Sequence, residues 1–347
     1  MSHATYPSVG SHEAKRSTIA DVAAHAGVSI TTVSQVLNGR RPVAKKTQAR
    51  VRDSIEELGF RPNEVARSLR RQRSSTVAII VPNIAHVAYP IMARGASDLL
   101  RPLGYNVALY DTDGSEDIEK SVLRTVADRI TDGAILFGFT MTESDAEILS
   151  AVNIPFVNGG LNSQSEGSWD AVISDQQGGI TAATKHLIDR FGTSIGYLGG
   201  NVGDGPADVR EASFLSAIDQ DKVSPAPVIV RAPFTYQGGR DAMEQLLATG
   251  NVPRALVVGN DRIAIGAMDV ALRHGFRIPD DIAFIGYDNE DSDQVVSPPL
   301  SSIEPQLHEQ GRMCAQLLID RMSGSYTAEP RRVLLPTALV LRDSSGS

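Results

Sequence analysis

A chain of 347 residues, 41% of them hydrophobic, is too long for one small domain and apolar enough to build two or three packed cores. Its net charge of −8 argues against a nucleic-acid partner for the chain taken as a whole, and a single cysteine, Cys314, excludes an intrachain disulfide. No run approaches the ~18 apolar residues that a membrane span needs, and no apolar secretion signal opens the sequence, so a cytoplasmic location without membrane contact is expected.

The charge is unevenly placed. Residues 17–73 carry 11 Lys and Arg against 5 Asp and Glu, a net of +6, whereas the chain from 74 onward carries 20 against 35, a net of −15. A basic head can hold phosphates while an acidic body resists nonspecific sticking.

In chain order, residues 1–16 show no periodicity and read as a flexible tail. Residues 17–61 read as a small helical headpiece. Ile19, Val22, Ala23 and Ala26 recur at helical spacing, and Thr18 supplies a hydroxyl to cap the start. Gly27 suits a sharp turn, Ser29 caps a second helix, and Val33, Val36 and Leu37 point inward. Ile30, Thr31, Thr32, Ser34 and Gln35 are left more available. That is the pattern of a helix-turn-helix whose second helix is free to enter a DNA major groove. A third helix is expected from Lys45 to about Leu58, ended by Gly59.

Residues 62–74 read as a hinge helix and linker. Val65, Ala66 and Leu69 are apolar, and Arg67, Arg70, Arg71 and Arg73 are cationic. A helix this short is unstable alone in water and is expected to form on docking. From 75 to 342 buried strands alternate with helices, as in TVAIIVPN, YNVALYDT, GAILF, SIGYLGG, ALVVGN and AFIGYD. This rhythm implies an α/β body with right-handed crossovers, and its length suits two lobes, with chain crossings near 158–175, 290–305 and 325–336. A cleft at the carboxyl ends of the strands is the natural ligand site. The surroundings of Cys314 read as a helix face with an inert buried thiol.

Residues 18–38 and 61–70, followed by the VPNI, TDGAILF, VGND and DIAFIGYDN segments, resemble the LacI/GalR family of bacterial transcription regulators. The likeness covers about residues 17–342. It implies a helix-turn-helix head on a two-lobed, periplasmic-binding-protein-like type I body, working as a homodimer on pseudo-palindromic double-stranded operator DNA under the control of a small effector, most often a sugar. The short polar end LRDSSGS favours a dimer over a tetramer.

By position, the resemblance implies base readers at Ile30, Thr31 and Gln35, where a glutamine suits an adenine edge. Thr32, Ser34, Asn38 and Thr18 fall on phosphate-positioning sites, Arg41 on an extra base contact, and Leu69, with Ala66 and Arg70 beside it, on a minor-groove wedge. In the body Arg210 matches an arginine that grips effector oxygens, and Asp261 a ligand hydrogen-bond acceptor. Tyr89 and Phe234 match aromatic positions that pack on a flat ligand face, His86 lies near the cleft, and Asp175 either organises a crossover or touches ligand. Asn158-Gly159-Gly160-Leu161 stands where many relatives carry an Asp-Arg pair, and the glycines are expected to open room for a larger sugar or glycoside.

Enzyme readings find little. The Gly199–Gly203 loop lacks GxGxxG, and the sequence contains no GxxxxGK[ST], no HExxH and no cysteine pair, so neither catalysis nor a cofactor or metal is expected. The expected function is an effector-controlled repressor. The alternatives are an activator or dual regulator with a non-sugar effector, and a solute-sensing module without DNA binding.

Overall fold

The computed structural model describes residues 17–38, 42–60, 74–138, 143–160, 169–203, 205–220 and 226–346. They form two compact units, divided between Arg73 and Ser74.

Among the described residues the first unit holds three helices: α1 (Ile19–His25), α2 (Ile30–Asn38) and α3 (Lys45–Glu57). Thr18 and Asp21 cap α1 reciprocally: the Asp21 N–H reaches Thr18 Oγ1 at 3.3 Å, and Asp21 Oδ2 accepts from the Thr18 N–H at 2.7 Å. Gly27 turns the chain at φ +61°, a conformation that costs a side chain dearly. Val22, Ala23, Ala26, Val33 and Val51 are buried together, with Ile55, Leu58 and Phe60 packed around them. Past α3, Gly59 takes φ +58° and lets the Phe60 N–H return to Ile55 O at 3.0 Å, closing the helix end. Ser17 Oγ donates to Leu58 O at 2.8 Å, so the residue before α1 is tied to the end of α3.

The second unit holds two six-stranded sheets. In chain order it runs β1 (Thr76–Val81), α4 (Ala88–Leu100), β2 (Asn106–Asp111), α5 (Glu116–Thr125), β3 (Gly133–Leu136), α6 (Glu143–Ser150), β4 (Phe156–Asn158) and β5 (Asp170–Ser174). It continues with α7 (Gln176–Phe191), β6 (Ile195–Gly199), α8 (Ala207–Gln220), β7 (Val228–Arg231), α9 (Tyr236–Ala248), β8 (Ala255–Val258), α10 (Asp261–Arg273) and β9 (Ala283–Tyr287). It closes with β10 (Ser301–Glu304), α11 (Leu307–Ser323), β11 (Arg332–Leu335) and β12 (Ala338–Val340). The first sheet is ordered β11-β5-β4-β3-β1-β2 and is parallel throughout; the second is β12-β10-β9-β8-β6-β7, with only β12 antiparallel.

Strand period explains the layers. On β1, Val77, Ile79 and Val81 face α4 and α11, while Ala78 and Ile80 face α5 and α6. In the second lobe Leu256 and Val258 face α9 and α10, and Ala255 and Val257 face α7 and α8. Each lobe contains one helix pair that crosses at glycines. A Cβ on Gly311 would lie 1.8 Å from Met92 O, and one on Gly266 would lie 2.1 Å from Tyr236 O, so α4 meets α11 and α9 meets α10 backbone to backbone.

The chain passes between sheets at Asp175, at Pro305–Gln306 and at Pro336–Thr337. These passages are bonded to one another. The Asp175 N–H donates to Leu335 O at 2.8 Å, Thr337 Oγ1 to Asp175 O at 3.1 Å, and Gln306 Nε2 to Pro336 O at 2.9 Å. The resulting hinge is three strands wide. Burial pushes the Cys314 thiol up, as an inert core cysteine requires. Among the described residues no helix is long and apolar enough to cross a membrane.

Candidate functional site

The residues expected at the two sites fall in separate units, the DNA-facing ones in the helical unit and the effector-facing ones in the body. In the helical unit α2 presents its first turn outward: Ile30 is 52% exposed, an unusual position for a large apolar residue, and Thr31 is exposed beside it. Gln35, one turn on, is half-buried, as are Thr32 and Ser34. Ser29 caps the helix by accepting from the Thr32 N–H at 3.1 Å, and its hydroxyl meets Thr32 Oγ1 at 2.9 Å. The Thr32 hydroxyl is therefore already engaged within the turn. The Thr18 hydroxyl is likewise engaged, with Asp21 Oδ2 at 2.7 Å. The Asn38 side chain, Arg41, Ala66, Leu69 and Arg70 lie outside the described residues.

In the body the loops after β1, β8 and β9 converge on one region. After β1, Asn83 Oδ1 accepts from the Ala85 N–H at 2.8 Å and shapes a turn that delivers His86 and Tyr89 at the start of α4. Their rings lie 5.7 Å apart. Burial, and after it the positive charges of Arg210 and Arg262, lower the His86 pKa to about 4, so this imidazole is neutral at physiological pH. The acidity of Tyr89 is set by burial first and then by the nearby Asp288 carboxylate, both raising its pKa. Residues of the first lobe thus feel charges carried by the second. A direct bridge also exists: Arg262 Nη2 donates to Ala85 O at 3.2 Å.

Arg210, on α8, is only 2% exposed. Its Nε donates to Gln176 Oε1 at 2.9 Å, Nη1 donates to Gly259 O, and the guanidinium lies 3.6 Å above the Tyr287 ring centroid. Asp288 Oδ1 stands 3.8 Å from Nη2. Burial drives the Asp288 pKa up to about 7, with Arg210 opposing the rise. Asp288 Oδ2 and Asn260 Nδ2 have no partner among the described residues. A buried acceptor and a buried donor left open beside a guanidinium are what a hydroxylated guest would satisfy.

The backbone at this loop is strained. Asp288 takes φ +110° and Asn289 φ +52°. Three bonds hold the conformation: Asp288 N–H to Ile303 O at 3.0 Å, Asn289 N–H to Ser302 Oγ at 3.0 Å, and Glu290 N–H to Asp261 Oδ2 at 3.0 Å.

Asp261 therefore has a different place from the one expected. Its carboxyl is turned into the lobe, with Oδ1 accepting from Ser302 Oγ at 2.7 Å and Oδ2 from the Glu290 N–H, and it is wholly buried. Burial, then Asp293 and Asp288, raise its pKa well above the carboxylate range. Asp261 props up the loop, and the acid beside Arg210 is Asp288, with Asn260 rather than Asp261 offering an open polar group. Sequence reasoning missed Asp288, Asn260, Arg262 and Gln176. The signal available was IGYDN, since an acid directly after a buried strand sits at a carboxyl end.

The expectation for Gly159 and Gly160 also needs correction. A Cβ on Gly159 would meet the Phe137 ring at 2.4 Å and Cys314 Sγ at 2.8 Å, and one on Gly160 would meet Gly138 O at 2.5 Å. These glycines let the chain pack against its own core and do not open space in the cleft. Asp175 caps α7, its Oδ1 accepting from the Gly178 N–H at 2.9 Å, and belongs to the crossover. The Phe234 ring lies beneath Gly200, where a Cβ would approach it to 2.4 Å. Among the described residues no group of His, Cys, Asp and Glu is arranged to hold a metal.

The comparisons with known proteins follow this division. Residues 18–63 match the family model described as bacterial regulatory proteins, lacI family, and residues 184–345 match a periplasmic binding protein-like domain. Catabolite control protein A of Priestia megaterium is 32% identical over 333 residues, covering 94% of this chain and 99% of its own length. Among solved structures, the complex of the transcriptional regulator CelR with cellobiose is 29% identical with a TM-score of 0.71, covering 95% of this chain and 100% of that one. The lac repressor dimer bound to operator and an anti-inducer is 25% identical with a TM-score of 0.87, covering 96% and 100%. A helix-turn-helix head and a two-lobed α/β body, joined in that order and matched nearly end to end by these relatives, have one explanation: the chain belongs to the lacI family of bacterial regulatory proteins.

Proposed function

We propose that the chain is an operator-binding transcriptional repressor whose hold on DNA is set by a carbohydrate bound between the two lobes of its body. Two copies pair as a homodimer, so that two α2 helices read the half-sites of a pseudo-palindrome. Ile30, Thr31 and Gln35 address base edges, Thr18, Thr32, Ser34 and Asn38 lie along the phosphates, and Arg41, Ala66, Leu69 and Arg70 add contacts at the hinge. It works in the cytoplasm and performs no catalytic step.

One observation carries the effector reading: the buried Arg210 stands beside Asp288, whose Oδ2, like Asn260 Nδ2, has no partner among the described residues, and the charges of Arg210 and Asp288 reach His86 and Tyr89. Donors and acceptors in balance, with aromatic faces alongside, suit a neutral polyhydroxyl molecule better than an anion or an apolar guest. The likeness to a cellobiose-bound regulator supports the class, and the likeness to an operator-bound repressor dimer supports the DNA role.

The test is a thermal-shift screen of the full chain against mono- and disaccharides, cellobiose included. Sugars that raise Tm are then titrated into the chain bound to a duplex it has itself selected from a random-sequence pool. A sugar that stabilises the chain and weakens DNA binding is the expected result. If no sugar alters either quantity, the carbohydrate reading fails; if no duplex is selected, the DNA reading fails.

A further inference from the structure

The polar groups that hold Arg210 continue past the second lobe. Gln176, whose Oε1 accepts from Arg210 Nε at 2.9 Å, is buried and opens α7 directly after the Asp175 passage. On the first-lobe side of that passage Gln310, fully buried on α11, donates from Nε2 to Gly159 O at 3.0 Å and to Val172 O at 3.1 Å. Ser174, the last residue of β5 and two residues before Gln176, meets Gln310. Its Oγ is 2.8 Å from Pro305 O and 3.2 Å from Gln310 Oε1, one hydroxyl proton shared between two acceptors. The Tyr287 ring under Arg210 is close enough to two hinge residues, Asp175 and Glu304, for their carboxylates to raise its pKa after burial has done so.

A buried hydrogen bond thus joins Arg210 to Gln176, the covalent chain runs from Gln176 back to Ser174, and the Ser174 hydroxyl and Gln310 continue the polar contacts to the Gly159 loop. When a partner in such a run shifts, the next group must follow or be left unpaired while buried.

We propose that Gln176 is a positioning residue that ties Arg210 to the passages between the lobes, so that occupation of the cleft is felt at residues 174–176 and, through Ser174 and Gln310, at the 158–160 loop. The proposal rests on the cleft being the effector site. Gln176 transmits the position of the guanidinium, and its acceptor oxygen is the atom that matters.

The test uses the full chain, wild type, Gln176→Met and Gln176→Glu. Methionine keeps the length and loses the acceptor; glutamate keeps an oxygen in place. Cellobiose affinity is measured by calorimetry, and cellobiose-driven release from the selected duplex by fluorescence anisotropy. Gln176→Met is expected to lower the release ratio at least tenfold more than it lowers sugar affinity, while Gln176→Glu stays within threefold of wild type. A purely structural role would move both quantities together and make the two variants alike. A wild-type release ratio in Gln176→Met, or failure of Gln176→Glu to rescue, overturns the proposal.

If cellobiose binds none of the three chains, the tie is read without sugar. Arg210→Lys is expected to speed hydrogen exchange of the 174–180 amides at least fivefold in the wild-type background and less than twofold in Gln176→Met. Equal effects in the two backgrounds overturn the proposal.

Discussion

Replacing Arg210 by methionine removes a guanidinium and leaves its buried partners behind. The lost contacts are the bond from Nε to Gln176 Oε1 at 2.9 Å, the bond to Gly259 O, the face of Tyr287 and the Asp288 carboxylate at 3.8 Å. Breaking a buried pair by removing one partner costs about 3–5 kcal/mol, and that figure already overlaps the hydrogen-bond losses. Its size depends on pH through Asp288. The Asp288 pKa is raised to about 7 in the folded protein, mainly by burial, so this group favours folding below the unfolded carboxylate range and loses that contribution as pH rises through about 7. Below pH 6 Asp288 holds its proton in both proteins, and the variant lacks only hydrogen bonds and packing, about 2–3 kcal/mol. At pH 8 the wild-type carboxylate is ionised and paired, whereas the variant must bury it unpaired or keep it protonated, so the full loss of about 3–5 kcal/mol applies. Urea unfolding followed by the fluorescence of Trp169, the chain's one tryptophan and a buried residue of the body, measures both conditions. Equal destabilisation at pH 5.5 and pH 8 would refute the pairing of Arg210 with Asp288.

Three further outcomes are expected. Gly159→Ala places a Cβ 2.4 Å from the Phe137 ring, so it should lower stability by about 1–3 kcal/mol; an unchanged urea midpoint would restore the idea that the glycine leaves open space. Val33→Ala, at a fully buried position, removes about 2 kcal/mol from a small core, so amide protection in α2 should fall about 30-fold, and a change below threefold would contradict the packing. Gln35→Ala should weaken binding to the selected duplex between about fivefold and a hundredfold, with random-duplex affinity unchanged; an equal loss on both would assign Gln35 to the phosphates.

Much of the fold was legible because its strands are central and parallel. Buried on both faces, β1, β6, β8 and β9 read as continuous apolar runs, and the turn at Gly27 marks the head by its chemistry. What escaped were the pieces that finish each sheet. β10 carries Ser301, Ser302 and Glu304 around one apolar residue, and β11 and β12 are largely apolar but only four and three residues long and follow one another with no helix between, so no strand–helix rhythm marks them. In the site, Arg210 and Tyr89 are named in the sequence by the family resemblance, and the structure brings them into one region with His86. Asp288 was missed and Asp261 named in its place, because the sequence does not tell which carboxyl near a strand end turns toward Arg210; in the structure Asp261 bonds to Ser302 and Glu290, and Asp288, at φ +110°, stands beside Arg210. The glycines at 159 and 160 misled because small size alone does not tell whether the space beside a residue is already filled.

The triple passage also bears on how the protein is made. As the polypeptide leaves the ribosome, β1 to β5 emerge early, but Leu307, Cys314, Leu317 and Leu318, which cover Val77, Ile79, Met92 and Leu100, arrive only after most of the other lobe. The second sheet in turn waits for Ala338–Val340. Neither sheet is complete until the C-terminal segment has emerged, and a chain truncated before it would leave an apolar face of the first lobe uncovered for chaperones and proteases.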